Sequence, residues 1–398
     1  MSLWKLKLTT VQESIKNSGY DGWLLYDFRK SNDLACHFME IPEETLLTRR
    51  FYYWIPQIGE PIKIVHRIES HVLAHLPGKE LVYSSYEELE KQLAIVIKHT
   101  SRIAMEYSPR NAIPTVSKVD AGTIDLIRSL GATVESSADL LQPYTSIWTP
   151  EQFVSHKAAA EVLQNTVELA WKIIAKAVKN NDKINEADVQ RFIIGEFEKH
   201  GCIASDPPIC AVNANSANPH YSPTSQGSQE IKSGDFVLID VWCKKNTPHA
   251  VYADITRVGI VGAQPTKRQQ EIFDIVKAGR DAAIALVSKR LKSGEPIMGW
   301  EVDQACRDVI NDAGYGQYFT HRTGHNIGER DHGDGANIDN FETRDFRKLL
   351  PGTCFSIEPG IYLPGEFGVR LEDDVYLDAN GRELHLTVGM QEEIFSIS

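Results

Sequence analysis

The sequence predicts an α/β chain in two parts. Residues 1–150 form a mixed strand–helix region, and residues 151–398 a second region in which two helices and a β-hairpin occur twice. Three observations carry this. Before Pro150, strand-like apolar runs alternate with segments of helical periodicity, the pattern of an α/β layer structure. Thr149-Pro150-Glu151, with Gln152 three residues after the threonine, is a helix start signal. Finally, the order helix–helix–hairpin over 151–261 returns over 266–377 with no evident sequence identity, a repeat of element order alone.

Each element has a local reason. Leu6, Leu8, Val11 and Ile15 recur at helical spacing, so 6–18 is a helix, broken by Gly19-Tyr20-Asp21-Gly22. The run Trp23–Phe28 is a buried strand, and Phe51–Ile68 a strand pair turning at Gly59-Glu60-Pro61. Tyr86–Lys98 is an amphipathic helix, Arg102–Tyr107 a strand, Val116–Leu130 a helix and Ala132–Glu135 a short strand. A long helix, 151–179, stops at Asn180-Asn181-Asp182, and a second, 186–200, ends at Gly201. A loop rich in Pro, Asn and Ser (206–228) leads into strands 235–242 and 251–261, joined by the polar turn 244–249. Helices 266–291 and 299–313 then precede a loop rich in Gly and His. Strands 353–362 and 367–377, joined by Leu363-Pro364-Gly365, close the pattern.

Composition excludes several classes. Of 398 residues, 42% are hydrophobic and 24% charged, ordinary for a globular chain and wrong for a disordered or collagen-like one. A net charge of −12 argues against a general nucleic-acid or anionic-membrane binder. The six cysteines are scattered and form no Cys-x-x-Cys pair, which suggests a reduced, cytoplasmic protein with small buried thiols. The first twenty residues lack the apolar core of a signal peptide, and no run is long enough to span a membrane.

Chemistry concentrates in the two late hairpins. Asp240 and Asp254 flank Thr247 symmetrically, and Glu358 and Glu372 flank Gly365 with the same separation. Regular antiparallel pairing would place the members of each pair opposite each other, where like charges repel. Asp240 sits within VLID and Glu358 within FSIE, so burial sharpens the conflict. Any one of these acids reads equally well as an exposed strand residue. All four in one symmetric scheme point to bound cations, and four carboxylates suit two divalent metals about 3.5–4 Å apart. A nitrogen ligand would come from His321, His325 or His332 in FTHRTGHNIGERDH, or from His220 in NANSANPHY.

With these residues in view, the chain resembles the pita-bread metallopeptidases: Xaa-Pro dipeptidase (prolidase), Xaa-Pro aminopeptidase, methionine aminopeptidase and the metal-free creatinase. The motifs are VLIDVW, VYADITR, HRTGHNIGERDH, PGTCFSIEPGIYLPG and FGVRLED, which cover most of 151–398. The resemblance implies a creatinase-type N-terminal α/β domain over 1–150 and a pita-bread catalytic domain over 151–398. It implies metal ligands Asp240, Asp254, His325, Glu358 and Glu372, so that a fully lost metal set, as in creatinase, does not apply. An N-terminal region of this size argues against a plain methionine aminopeptidase. The compact hairpin between Glu358 and Glu372 is similar to that of the smaller prolidases.

The implied activity is hydrolysis of the Xaa-Pro bond of dipeptides, with an Xaa-Pro aminopeptidase acting on longer peptides as the rival and a non-enzymatic binding protein as a more distant one. Oxygen ligands with one imidazole favour manganese, cobalt or zinc over copper, and the resemblance favours two manganese ions and a homodimer. Glu358 would be both ligand and proton shuttle for a metal-bridged hydroxide. His332 and His220 would contact the scissile carbonyl, and His321 would support the pocket. Thr256 and Arg370 would orient ligands, Arg370 also binding substrate, and Arg344 in FETRDF would grip the substrate carboxylate. Two departures stand out: the Asp240–Asp254 hairpin is longer than usual, with Lys244-Lys245-Asn246 at its tip, and Gly333 replaces an acid many members carry after the histidine.

Overall fold

Alternation of apolar side chains along central strands dictates the architecture. The computed structural model describes residues 3–97, 102–224 and 226–398, which cluster into two units, Met1–Thr145 and Ser146–Ser398.

In the first unit the elements are α1 (Leu3–Asn17), β1 (Gly22–Asp27), α2 (Asp33–Phe38), β2 (Phe51–Pro56), β3 (Ile62–His66), β4 (Lys79–Tyr83), α3 (Tyr86–Val96), β5 (Arg102–Met105), α4 (Ala121–Ser129), β6 (Thr133–Ser136) and α5 (Ala138–Thr145). The strands form one mixed sheet in the order β4-β3-β2-β1-β5-β6. Trp23, Leu25, Tyr53 and Ile55 pack with Val11, Ile15 and Leu141, whereas Leu24, Tyr26, Tyr52 and Trp54 pack with Leu89, Leu93, Ile124 and Ile127. The period of two along each strand thus fills two separate cores. The helix expected from Val116 starts later, at Ala121. Pro114–Val116 forms a short 3-10 turn instead, and Asp120 caps α4 by accepting from the Thr123 N–H. Lys98, the expected end of the preceding helix, lies outside the described residues.

The second unit continues with α6 (Pro150–Asn180), α7 (Glu186–Lys199), β7 (Cys202–Ile203), β8 (Ile209–Val212), β9 (Phe236–Lys245), β10 (Ala253–Val261), α8 (Lys267–Ser293), α9 (Gly299–Asp312), β11 (Asn326–Ile327), β12 (Cys354–Ile357), β13 (Gly360–Leu363), β14 (Phe367–Arg370), β15 (Asp373–Leu377), β16 (Leu384–Leu386) and β17 (Phe395–Ile397). Thr149 and Gln152 form the reciprocal cap of α6, and Thr266 and Gln269 that of α8. Along β9 and β10, Val237, Ile239, Val241 and Ile255 face α6 and α7 with Leu163, Val167 and Ile193. Phe236, Leu238, Val258 and Ile260 face the other way, toward Phe273, Val276 and Val302 of α8 and α9 and toward Phe355, Ile357 and Val369. Asp240, Asp254 and Thr256 share parity with this second set, so the pleat aims them at the second half of the unit.

The first hairpin corrects one expectation. Asp240 stands opposite Thr256, and Asp254 opposite Trp242, rather than acid opposite acid. The tip holds two successive tight turns with His249 at φ +59°, and the ribbon is centred on Pro248 instead of Thr247. The shift makes Asp254 a diagonal neighbour of Asp240 and places a hydroxyl, not a second charge, directly across from it. The second hairpin keeps the expected register: Ile357 pairs with Asp373 and Gly360 with Arg370, which sets Glu358 across from Glu372. Each of its expected long strands is broken there. Pro359 has no N–H to give a ladder, and its carbonyl accepts from Leu371 N at 3.3 Å. Glu358 and Glu372 therefore stand at a corner of the ribbon.

Candidate metal centre

The two hairpins meet at Thr256. Its strand bridges to Glu372, with Glu372 N donating to Thr256 O at 3.4 Å. The Thr256 hydroxyl lies 2.9 Å from Asp240 Oδ1 and 2.7 Å from Glu372 Oε2, so one proton serves a carboxylate from each half. Behind it, Arg257 donates to the carbonyls of Thr256 and Glu372 at 3.0 and 2.6 Å and pairs with buried Asp373, which also receives Arg280. These bonds fix the backbone that carries the acids.

His325 enters from the loop before β11. Its backbone N–H donates to Ser356 Oγ at 3.0 Å, and the same hydroxyl donates to Glu358 Oε1 at 3.2 Å, so Ser356 locks histidine and glutamate together. The Nδ1 of His325 faces the Asn326 carbonyl at 3.2 Å, which assigns the proton to Nδ1 and leaves Nε2 as the free donor atom. That Nε2 lies 3.5 Å from Glu358 Oε1 and 3.9 Å from Asp254 Oδ2. Ligand atoms of Asp254, His325 and Glu372 all fall within 4.8 Å of one another.

Four of the five expected ligands are sealed from water, Asp240, Asp254, His325 and Glu372 being 6, 4, 2 and 2% exposed, while the Glu358 side chain keeps 15% exposure. Burial first, then the charges of Glu372, Asp331 and Asp240, hold the Asp254 carboxyl well above its ordinary range. Burial and the charges of Glu358 and Asp240 do the same to Glu372, and burial raises Glu358 to about 7. Burial pushes His325 well below the usual imidazole range, with His332 and Arg322 adding to it. Asp254 Oδ1 and Glu372 Oε1 are buried and find no hydrogen-bond partner. Unmet oxygens on crowded carboxylates, beside a neutral imidazole, fit divalent cations. Asp240, Asp254, His325, Glu358 and Glu372 are the residues that would hold them.

The remaining expected residues fall around this cluster in different ways. Arg370 is buried; its Nε donates to Thr256 Oγ1 at 3.0 Å, its Nη1 to Tyr362 Oη at 3.0 Å, and its Nη2 to Asp240 Oδ2. Its nitrogens are engaged inside the protein, an orienting position rather than one open to substrate. His321 contacts the Arg322 carbonyl through Nδ1 at 2.6 Å and Tyr362 Oη through Nε2 at 2.7 Å, so a chain runs from Arg370 through the phenol to a neutral imidazole. Burial and the Arg370 charge lower His321 to about 3. His332 packs its ring 4.0 Å from that of His325 and takes a bond from Arg322 at 3.2 Å, its outer edge open to solvent. Partial enclosure, then Arg322 and His220, lower it to about 4. His220 is exposed on its loop. Arg344 is exposed too and lies 4.5 Å over the Trp300 ring. The hairpin tip anchors on the histidine loop: Lys244 Nζ donates to the Glu329 carbonyl at 2.6 Å. Two participants were not singled out from sequence. Tyr362, in EPGIY, joins Arg370 to His321, and Asp331, adjacent to His332, lies within reach of the cluster.

A cage of buried acids with one imidazole, on a doubled helix–helix–hairpin unit, defines a metal-dependent hydrolase of the pita-bread class. The model of metallopeptidase family M24 matches residues 155–379, and the chain belongs to that family. It is a metallopeptidase, and its substrates are peptides. An uncharacterized peptidase of Staphylococcus epidermidis is 26% identical over 340 residues, 84% of this chain and 87% of the relative. Among solved structures, a prolidase from Thermococcus sibiricus shares the fold with a TM-score of 0.64 at 24% identity, covering 100% of both chains. Dipeptidase PepE from Mycobacterium ulcerans does so with a TM-score of 0.70 at 20% identity, covering 99% of this chain and 98% of its own. Among the described residues no helix is long and apolar enough to cross a membrane.

Proposed function

We propose that the protein hydrolyses the Xaa-Pro bond of dipeptides at a centre of two divalent ions, manganese first among them. The observation that carries this reading is the buried set of four acids and His325, with unmet oxygens on Asp254 and Glu372, in a chain that matches prolidase-type folds over its whole length. When bound, the ions supply an activated water and a Lewis acid for the scissile carbonyl. The chain's own residues do the rest. Glu358, held by Ser356 beside His325, takes a proton from the water and returns it at the departing imino nitrogen. His332, stacked against His325 with one edge open, and His220 on its exposed loop meet the carbonyl oxygen as charge develops there. Arg370, Tyr362 and His321 hold the Asp240 side of the cage in place. Arg344 grips the substrate's C-terminal carboxylate.

Purified enzyme stripped of metal and resupplied with manganese should cleave Ala-Pro and leave Ala-Pro-Xaa tripeptides nearly untouched. Faster cleavage of the tripeptide would turn the assignment to an Xaa-Pro aminopeptidase. Arg344→Ala should raise KM for Ala-Pro far more than for any longer peptide, and an equal rise for both would remove Arg344 from the substrate.

A further inference from the structure

The loop after His325 supplies an acid that none of these roles uses. Asp331 immediately precedes His332, and its Oδ1 is sealed from solvent without a hydrogen-bond partner. Its Oδ2 lies 4.0 Å from His332 Nε2, and its carboxylate is near enough to Asp240, Glu358 and Asp254 for their charges to act on it. His325 belongs to two ligand sets. With Asp254 and Glu372 it offers atoms within 4.8 Å of one another, and with Asp331 and His332 it does so again.

A structural acid in this position would have a donor for each buried oxygen, and Asp331 Oδ1 has none. A fifth carboxylate beside four others is costly unless a cation lies between them. The loop also shows why the acid precedes His332 rather than following it. A Cβ at Gly333 would sit 2.4 Å from Asn326 Oδ1, which itself accepts from Gly335 N at 2.9 Å. Residue 333 must stay bare, so position 331 is where the loop brings in a carboxylate.

We propose that Asp331 is a further protein ligand of the centre, joining Asp254 and His325 around one of its cations. The added carboxylate makes that position richer in oxygen and more negative, which favours a hard ion such as manganese over softer ones. The inference rests on the metal centre and not on the Xaa-Pro reading, and its deciding measurement is metal binding, without substrate.

The full-length chain, stripped with chelator, is titrated with MnCl2 by calorimetry and by the loss of the free manganese paramagnetic signal. Wild type should take up two ions. Asp331→Asn and Asp331→Ser should each weaken one of the two by about ten- to a hundredfold, the range for partners that tune a metal site, and leave the other unchanged. The metal-free variants should melt no lower than wild type, since a repelling charge is gone. Manganese affinities within twofold of wild type in either folded variant would overturn the proposal. So would unchanged affinities with a raised KM for dipeptides, which would give Asp331 to the substrate's α-ammonium group. Failure of both metal-free variants to fold would make Asp331 a structural residue and overturn it as well.

Discussion

Each unit buries a carboxylate deep in its core, and the two are treated oppositely. Glu106 of the N-terminal unit is fully buried, yet Trp23 Nε1, Asn32 Nδ2 and Ser137 Oγ all donate to it, at 2.7, 2.8 and 2.9 Å. Asp254 and Glu372 of the second unit are as deeply buried and each keeps an oxygen that nothing satisfies. Burial raises the carboxyl pKa in both places, so the shift alone does not separate them. Hydrogen-bond satisfaction does. A saturated buried acid organises its own unit, whereas the unmet oxygens of Asp254 and Glu372 are left able to take a cation. Asp303 supports the rule from within the second unit, because Arg307, Thr323 and Asn340 fill its oxygens and it plays no part in the cage.

The sharpest way to break this comparison is to neutralise one acid of each kind. Asp254→Asn should reduce peptide hydrolysis to background while the metal-free protein melts no lower than wild type. A clear drop in its melting temperature would mean the acid is structural after all. Glu106→Ala should do the reverse, costing roughly 3 kcal/mol of stability by stranding three buried donors, with turnover per folded molecule unchanged. Chemical denaturation and active-site titration read the two effects separately. Manganese should stabilise wild type by about 2.7 kcal/mol at a hundredfold excess over its Kd and leave Asp254→Asn nearly unmoved. Thr256→Val keeps the shape and removes the shared proton, and should weaken manganese binding by about ten- to a hundredfold by calorimetry.

The smallest effect sharpens the rule with a base. His156 is buried and filled, its ring nitrogens facing the Tyr252 carbonyl at 2.6 Å and Thr387 Oγ1 at 2.9 Å, and burial lowers it to about 4. The unfolded chain takes up this proton below about pH 6.5 and the folded one does not until about 4. Stability should therefore fall as pH drops through that window, His156 contributing up to about 1.4 kcal/mol per unit. Urea unfolding of His156→Gln across the same range should show a shallower slope.

Much of the fold was legible because the elements carry their own signals. The Thr149–Gln152 cap and the apolar parity of β9 and β10 need no long-range information. The grouping of the four acids was legible for a related reason, since the equal separations within the two pairs survive in the linear sequence, although only the second pair is symmetric about its turn. What failed was register. A one-residue shift at the hairpin tip depends on turn geometry around His249, and it put Thr256, not Asp254, across from Asp240. The Arg370–Tyr362–His321 chain was illegible as a chain, because its contacts join segments distant in sequence. Asp331 left a signal, an acid touching His332 in the motif, but only its unmet buried oxygen gives that signal meaning.

The junction at Thr256 has a consequence for synthesis. Glu372 lies far downstream of Asp240 and Asp254 in the sequence, and until it is made the first hairpin holds only half of the acids. If cation capture draws on groups from both ribbons, a polypeptide made only as far as the first hairpin would lack half of the site.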